Sequence, residues 1–159
     1  GSAFVVAAYH DWNSPWEWWM VNRDGEILQL THFGDRYSAY EFDYENASLS
    51  PDGHYLAFGL FVGGARFTHP RNYQLIVLDL ETLEAIDTCI SFDYYHVWSP
   101  DSQYIAILQR EPNRNFHNFP VPTSVIVLNH EQGWAVKIFN VNNETPSMTS
   151  PGAWLDSGK

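Results

Sequence analysis

Two stretches, Leu49-Ser-Pro-Asp-Gly-His-Tyr-Leu-Ala-Phe58 and Trp98-Ser-Pro-Asp-Ser-Gln-Tyr-Ile-Ala-Ile107, share one pattern of turn and apolar residues. The serines that open the shared turn, Ser50 and Ser99, are 49 positions apart. A Pro-Asp turn flanked by apolar runs is typical of a tight connection between two antiparallel strands. Because a fixed period of tens of residues marks a repeat architecture, the chain is expected to consist of repeated antiparallel units.

A second block recurs downstream of each turn. Leu75-Ile-Val-Leu-Asp79 matches Val125-Ile-Val-Leu-Asn129, and Trp19-Met-Val-Asn22 is an earlier copy. Runs of β-branched and aliphatic residues of this length predict strands. Further strands are predicted over residues 26–31, 84–90 and 134–139. Each full copy then holds four short strands, a to d, and four antiparallel strands at this period make one blade of a β-propeller.

The two ends of the sequence extend the pattern. Ala3-Phe-Val-Val-Ala-Ala8 resembles a b strand, and the segment from Ala153 to Lys159 resembles an a strand with its turn. The predicted fold is therefore all-β, about three propeller blades in the register b-c-d/a-b-c-d/a-b-c-d/a. As domains, the sequence predicts a single propeller unit over 1–159: a partial blade with its connection (3–48), two blade units (49–97 and 98–153) and the start of the next blade (154–159).

The residue before each turn predicts how neighbouring blades pack. Trp98 and Trp154 share one offset from their turns, whereas Leu49 stands at that offset in the other copy. Large aromatic side chains favour the space between stacked sheets. Both tryptophans are therefore expected to pack between neighbouring sheets, and Leu49 is expected to fill its place less fully.

The paired turns Ser50-Pro-Asp-Gly53 and Ser99-Pro-Asp-Ser102, each followed by an aromatic residue, an aliphatic residue and Ala, resemble the repeat of TolB-like propellers, also called WD-repeat-like. Leu78-Asp79 and Gln29-Leu-Thr31 resemble the same repeat. The resemblance implies a propeller fold, which is also found in the propeller domains of prolyl-oligopeptidase-type peptidases. Such propellers serve as scaffolds, gates and ligand platforms, and known members close with more than three blades.

Charge and composition exclude two classes of partner. The formal net charge is −11, with 8 Lys and Arg against 19 Asp and Glu. A negatively charged surface repels a phosphate backbone and an anionic lipid surface, so neither nucleic acid nor a membrane is expected as a partner.

The single cysteine, Cys89, has no partner for an internal disulfide and is predicted to be a buried, inert thiol. The cell compartment stays open.

The sequence offers no catalytic constellation. Asp52, Asp101 and Asp156 recur in the turns, where an aspartate usually caps the turn through backbone hydrogen bonds. No Gly-x-Ser-x-Gly nucleophile motif occurs, and the seven histidines form no His-x-His or His-x3-His pair. No catalytic residue, metal ligand or cofactor is therefore assigned.

The b-to-c loops of successive blades emerge on one face of a propeller, and each such loop here carries a histidine among aromatic residues. Aromatic side chains of long loops often fold back over a sheet edge, and that is one interpretation; the other is a ligand or partner face. The candidate residues are His10, Trp12, Trp16, Phe67, His69, Arg71, Phe116, His117 and Phe119.

The expected function is that of a propeller scaffold, a binding or assembly module. Three blades leave two apolar sides open, so the expected partner is a second copy of the chain, in a homodimer that closes a six-bladed ring. A protein or small ligand on the loop face is a further expected partner. The alternative is the propeller domain of an enzyme: the gating domain of a prolyl-oligopeptidase-type peptidase, or a metal-dependent sugar-active propeller.

Overall fold

The computed structural model describes residues 3–9, 11, 14–35, 42–62, 73–92, 95–110 and 122–140. In these ranges the chain is all-β, with three antiparallel sheets of three or four strands, none of them closed. The helical structure in these ranges is one 3₁₀ turn at Phe33–Asp35. No helix in the described part of the chain has the length and apolar character needed to cross a membrane.

In all three sheets the strands lie side by side in chain order. The first sheet contains β1 (Ala3–Ala8), β2 (Glu17–Asn22) and β3 (Ile27–Gln29). The second contains β4 (Phe42–Leu49), β5 (Tyr55–Val62), β6 (Tyr73–Asp79) and β7 (Ala85–Phe92). The third contains β8 (His96–Trp98), β9 (Tyr104–Arg110), β10 (Pro122–Asn129) and β11 (Trp134–Asn140).

Within the described residues the strands expected from the repeat are present, with small shifts at their ends, while the a strand expected over 153–159 lies outside the described residues. β2 begins at residue 17 instead of 19, and β3 covers only 27–29 of the predicted 26–31. The predicted strands 84–90 and 134–139 are observed as 85–92 and 134–140. The division of the chain at residues 49, 98 and 154 stays a prediction.

The Ser-Pro-Asp turns fold as the sequence predicts. The Ser50 hydroxyl donates to Oδ1 of Asp52 at 2.6 Å and accepts from the backbone N–H of Tyr55 at 2.9 Å. Ser99 and Asp101 repeat the first of these bonds at 2.5 Å. Oδ1 of Asp52 accepts from the His54 N–H at 3.0 Å and Oδ1 of Asp101 from the Gln103 N–H at 3.1 Å, so both aspartates cap their turns as predicted, while residue 156 lies outside the described residues.

The two central strands of the second sheet, β5 and β6, are buried on both faces. Leu75 and Val77 are fully buried on one face, and Phe58 and Leu78 are buried on the other. This explains the continuous apolar run of β6, since a strand covered on both sides needs no alternation of apolar and polar residues.

The chain divides into two compact units. One contains residues 1–43 and 61–68, and with them the first sheet; the other contains residues 44–60 and 69–159. The second unit therefore holds most of the second sheet and the whole of the third, so the packing between these two sheets is a property of one compact unit.

The prediction of a buried thiol at Cys89 is wrong, because this residue is exposed. The pairing of β6 with β7 shifts register between Gln74 and Ile76. Cys89 lies in that irregular stretch with a φ of 55°, and its N–H is bonded to Oδ1 of Asp87 at 2.8 Å. A bulge of this kind redirects a side chain that regular alternation would have turned inward.

Candidate functional site

The second and third sheets meet at a joint centred on Trp98, the last residue of β8. Its ring is only 6% exposed and stacks on Tyr55 of β5, with ring centroids 6.1 Å apart and an angle of 23° between the planes. The indole N–H donates to the backbone carbonyl of Ser48 at 3.3 Å. Trp98 thus packs between two neighbouring sheets, as expected from its place before the turn.

His130 completes this aromatic cluster from the turn after β10. Its ring meets Tyr55 edge-on at 4.4 Å and Trp98 at 5.1 Å. The residue is only 5% exposed, and the backbone of Gln103 faces its ring. Burial lowers the pKa of His130, while the charges of Glu131 and Asp52 raise it in part. The imidazole is therefore neutral near pH 7.

The turns of the two sheets are joined directly. The Ser102 hydroxyl oxygen accepts a hydrogen bond from the backbone N–H of Asp52 at 3.1 Å. Ser102 is buried and has a φ of 62°, in the left-handed region where the equivalent residue of the first turn is Gly53, with a φ of 77°. A side chain at this strained position costs roughly 1 kcal/mol relative to glycine, and here that side chain binds the neighbouring turn.

A second histidine bridges the same two sheets. Nε2 of His96 on β8 and the hydroxyl of Ser48 on β4 are hydrogen-bonded at 2.6 Å. Burial lowers the pKa of His96 to about 4, and the backbone of Ala57 on β5 offsets this only in part. A neutral imidazole thus lies between β8 and β4 in the joint.

Leu49 stands where Trp98 stands in the other copy, and its side chain is 44% exposed. Leucine was expected to fill this place less fully than tryptophan, and Leu49 is indeed far more exposed than Trp98, which is 6% exposed. Trp154, the third residue of the set, lies outside the described residues.

The first sheet carries an exposed apolar face. Phe4, Val21 and Ile27 lie directly opposite one another on β1, β2 and β3, so their side chains share one face. Phe4 is 69% exposed and Ile27 is 67% exposed, and Val6, two residues along from Phe4 on the same face, is also exposed. β1 is an edge strand within its sheet. Among the described strands, this apolar face lies beside the edge of its sheet, and such a surface is suited to association.

Glu17 anchors the start of β2, where the first loop ends. This buried carboxylate accepts hydrogen bonds from the Thr31 hydroxyl at 2.7 Å and from the Gly34 N–H at 2.6 Å. Trp16, the preceding residue, is exposed and lies edge-on to Tyr9, with ring centroids 4.7 Å apart. Glu17 therefore holds the segment after β3 against the base of the loop that presents Trp16.

Most of the loop face predicted from the sequence falls outside the described residues, so Trp16 alone of its nine members has a described position. The other eight are His10, Trp12, Phe67, His69, Arg71, Phe116, His117 and Phe119. Within the described ranges, no group of three or more His, Cys, Asp or Glu residues is placed to hold a metal ion.

Sequence reasoning missed several residues of the joint and the loop base, among them Ser102, His130 and Glu17. Ser102 was visible as the one change from glycine between the two matching turns, and His130 as the residue after Asn129 where the other copy has Leu80 after Asp79. At both positions the residue differs from its counterpart in the other repeat copy. A polar side chain found in only one copy indicates a contact that the other copy lacks. Glu17 gave no such signal.

Comparison with known proteins agrees with the all-β architecture. No protein-family model matches the sequence, and no curated protein shows significant similarity to it. A solved structure from a structural and mechanistic study of two prolyl endopeptidases matches 87% of this chain, with a TM-score of 0.64 and 16% identical residues. The match spans only 21% of that solved chain. At such low identity the likeness concerns the fold alone, and it supports a propeller-like fold.

Proposed function

We propose that the chain is a β-propeller module of the TolB-like repeat type, whose role is binding and assembly. Each sheet is one blade, with the strands of the second and third sheets in the order a, b, c, d from the centre outward. The Trp98–Tyr55 contact supports this proposal, because it joins two successive sheets through residues at fixed offsets from their turns.

The strand pairing in the three sheets supports the assignment of β1, β2 and β3 to the b, c and d positions of the first blade. Ala3, Tyr55 and Tyr104 begin β1, β5 and β9, and each pairs with the residue that ends the following strand, Asn22, Asp79 or Asn129. Strands with the same pairing occupy the same place in the repeat. β1, β2 and β3 are then the b, c and d strands of a blade.

Three blades fall short of the four to eight that a closed propeller typically contains. Further blades come either from a second copy or from more sequence of the same protein. We favour a second copy, in a two-fold dimer that closes a six-bladed ring. The observation that carries this proposal is the apolar face of the first sheet, where Phe4 and Ile27 are mostly exposed beside an edge strand.

Within such a ring the b-to-c loops form one face. The anchored start of β2 supports a role for this face, because Glu17 holds the base of the loop that presents Trp16. We assign a protein or small-ligand site to it, formed by the nine residues named from the sequence.

Self-association through the first sheet is tested by placing a charge on that face. In Ile27→Asp the carboxylate lies in the apolar face and disfavours its burial. Sedimentation velocity at micromolar concentration is expected to show a smaller species than the parent chain. Ile86→Asp is the matched control, because Ile86 is also exposed but lies on β7 of another sheet. Equal masses for the parent and Ile27→Asp would reject this interface.

A second candidate function is the propeller part of a peptidase. It is favoured by the likeness to a prolyl endopeptidase, of which this chain spans about a fifth. In the two endopeptidases of that study, inter-domain dynamics has a role in catalysis and specificity. In this alternative the remaining blades and the catalytic residues lie in other parts of the same polypeptide.

The two candidates differ in the intact protein. A fluorophosphonate probe, which labels reactive serine nucleophiles, is applied to the protein isolated from its natural source with an antibody to this chain. A labelled polypeptide several times larger than 18.3 kDa would support the peptidase. An unlabelled product of this size supports the assembly module.

A further inference from the structure

The strand register shows which residues of β1 bond to β2. In antiparallel strands, successive residues alternate between bonding to one neighbouring strand and facing the other side. On β2, Asn22 bonds toward the β3 side, because its N–H donates to the Glu26 carbonyl at 3.0 Å. Val21, the residue before it, therefore bonds toward β1, where its partner is Phe4. The backbone of Phe4 is thus directed to β2.

The residues on either side of Phe4 face the outer edge of β1. By the same alternation, Ala3, Val5 and Ala7 direct their N–H and C=O groups away from β2. Among the described strands none lies on that side, since β1 is the edge of its sheet. An edge of this kind presents a row of backbone donors and acceptors to which another strand can bond.

The third sheet shows which strand lies at the equivalent edge of β9. Tyr104 begins β9 as Ala3 begins β1, and its carbonyl accepts from the Ser99 N–H at 2.8 Å. Farther along β9, the Leu108 N–H donates to the Tyr95 carbonyl at 3.1 Å. Both bonds run to the segment that contains β8. The outer edge of β1 therefore corresponds to the edge of β9 that pairs with β8.

Side-chain exposure distinguishes the same two strands independently. Phe4 is 69% exposed and Val6 is 41% exposed, whereas their counterparts on β9, Ile105 and Ile107, are both 0% exposed. In the third sheet, Trp98 of β8 lies opposite Ile105. The same pair of positions is thus buried beside a strand of the β8 type and exposed at the edge of the first sheet.

A further segment of the chain matches β8 and its turn. Ala153-Trp154 corresponds to Val97-Trp98, and Gly158 then falls at the offset where the two other turns have Gly53 and Ser102. Gly53 has a φ of 77° and Ser102 a φ of 62°, so a glycine suits this left-handed position. Residues 152–158 lie outside the described residues, so this match is one of sequence.

We propose that the segment 152–158 of a second copy adds to the outer edge of β1 and completes the first blade as its a strand. This inference rests on the proposed function, because a six-bladed ring of two chains brings this segment of one chain beside β1 of the other. A two-fold axis then gives two such junctions. At each junction the backbone groups that β1 directs outward gain bonding partners.

The third sheet also predicts the register of the added strand. There the tryptophan of the a strand lies opposite the second residue of the b strand, and the residue before the tryptophan lies opposite the third. The partner's Trp154 is then opposite Phe4, and the partner's Ala153 is opposite Val5. The indole covers Phe4, the most exposed of the large apolar side chains in the described residues.

The length of the connection favours a second copy over the chain's own segment. Residues 141–151 connect β11 to this segment, whereas residues 93–95 are enough to connect β7 to β8. Fully extended, the longer connection spans at most roughly 36–40 Å, so it can cross to a neighbouring chain. Three blades are also fewer than the four or more with which a propeller typically closes on itself.

Interchain cross-linking tests the proposal. Val5→Cys and Ala153→Cys are each introduced into a Cys89→Ser chain, and the two variants are co-expressed with different tags and oxidised. Opposite residues of a bonded antiparallel pair have Cα atoms about 5.5 Å apart, a separation that a disulfide spans. A dimer linked between positions 5 and 153 is expected. In the matched control, Lys137→Cys replaces Ala153→Cys, because Lys137 is exposed on β11, and no link is expected.

The other outcomes separate this proposal from the proposed function. A 5–153 disulfide that forms only within a chain carrying both cysteines overturns the proposal, because the chain's own segment then occupies the edge. A dimeric mass by light scattering without the 5–153 disulfide also overturns it and leaves the dimer standing. A monomeric mass without that disulfide rejects both.

A backbone variant tests the added strand without cysteines. Val5→Pro removes an N–H that β1 directs outward and leaves the bonds to β2 in place, so it is expected to keep the first sheet and block the added strand. The dissociation constant of the dimer is expected to rise about tenfold or more, measured by sedimentation. Val5→Ala is the matched control, because it keeps the N–H, and a much smaller change is expected. Equal dissociation constants for the two variants would overturn the proposal.

Discussion

The Ser102 hydroxyl oxygen lies 3.1 Å from the backbone nitrogen of Asp52 and accepts its hydrogen bond, so the turn of the third sheet holds the turn of the second. The two residues are 50 positions apart in the sequence. The bond is made by a side chain that the matching position of the other turn, Gly53, does not have. Repeats with the same pattern can therefore differ in how firmly they attach to their neighbours.

The first prediction separates backbone strain from hydrogen bonding at Ser102. Ser102→Ala keeps the strained φ of 62° and loses the bond to Asp52, so it is expected to destabilise the chain by about 1–2 kcal/mol. Ser102→Gly loses the same bond but relieves the strain by roughly 1 kcal/mol, so its net effect is expected to be small. Urea unfolding measures both. A glycine variant less stable than the alanine variant would contradict this account.

Trp98→Ala is expected to lower the free energy of unfolding by about 3–5 kcal/mol, since it empties the space between two sheets. Trp134→Ala is the matched control, because that tryptophan is 39% exposed on β11 and fills no such space. Its expected effect is about 1 kcal/mol or less. Equal midpoints for Trp98→Ala and the parent chain in urea would contradict the packing of Trp98 between sheets.

Stability is expected to fall in two stages as the pH is lowered. The pKa of His96 is depressed to about 4, so its contribution is full above pH 6.5 and is lost as the pH falls toward 4, by roughly 3 kcal/mol. The hydrogen bond from Ser99 lowers the pKa of Asp101, so that contribution is present above about 3.8 and is lost below it. Urea unfolding at intervals from pH 7 to pH 3 shows both stages. A constant free energy of unfolding from pH 7 to pH 4.5 would contradict the first stage.

The loop face is tested by Trp12→Ser combined with Phe116→Ser. If this face binds a ligand or partner, the double variant is expected to lose binding while its melting temperature stays nearly that of the parent chain. Binding is followed with any partner recovered by cross-linking the parent chain. A large drop in melting temperature would instead mean that these aromatic side chains cover the sheet edge.

The fold was largely predictable because turns and strands are local. Ser50, Asp52 and their copies at 99 and 101 form their hydrogen bonds within a few residues, so the sequence pattern is enough to indicate them. The place of Trp98 between sheets followed from its offset to the turn.

The joint was predictable only in part, because its other members meet across about 50 to 75 positions. His130 meets Tyr55 from a turn where the other copy has a leucine, and nothing local to residue 130 indicates which ring it contacts. The exposure of Cys89 was missed for a different reason. Cys89 was expected to be buried as a lone thiol within a strand, but a bulge in β7, which arises in the pairing with β6, changes the direction of its side chain.

The central claim, that the chain is a propeller module completed by a second copy of itself, is tested most directly by its mass in solution. Size-exclusion chromatography with light scattering is run on the parent chain over a hundredfold range of concentration. The account predicts a species of about twice 18.3 kDa, with a melting temperature that rises with protein concentration. A monodisperse species of 18.3 kDa that is stable at every concentration would contradict it.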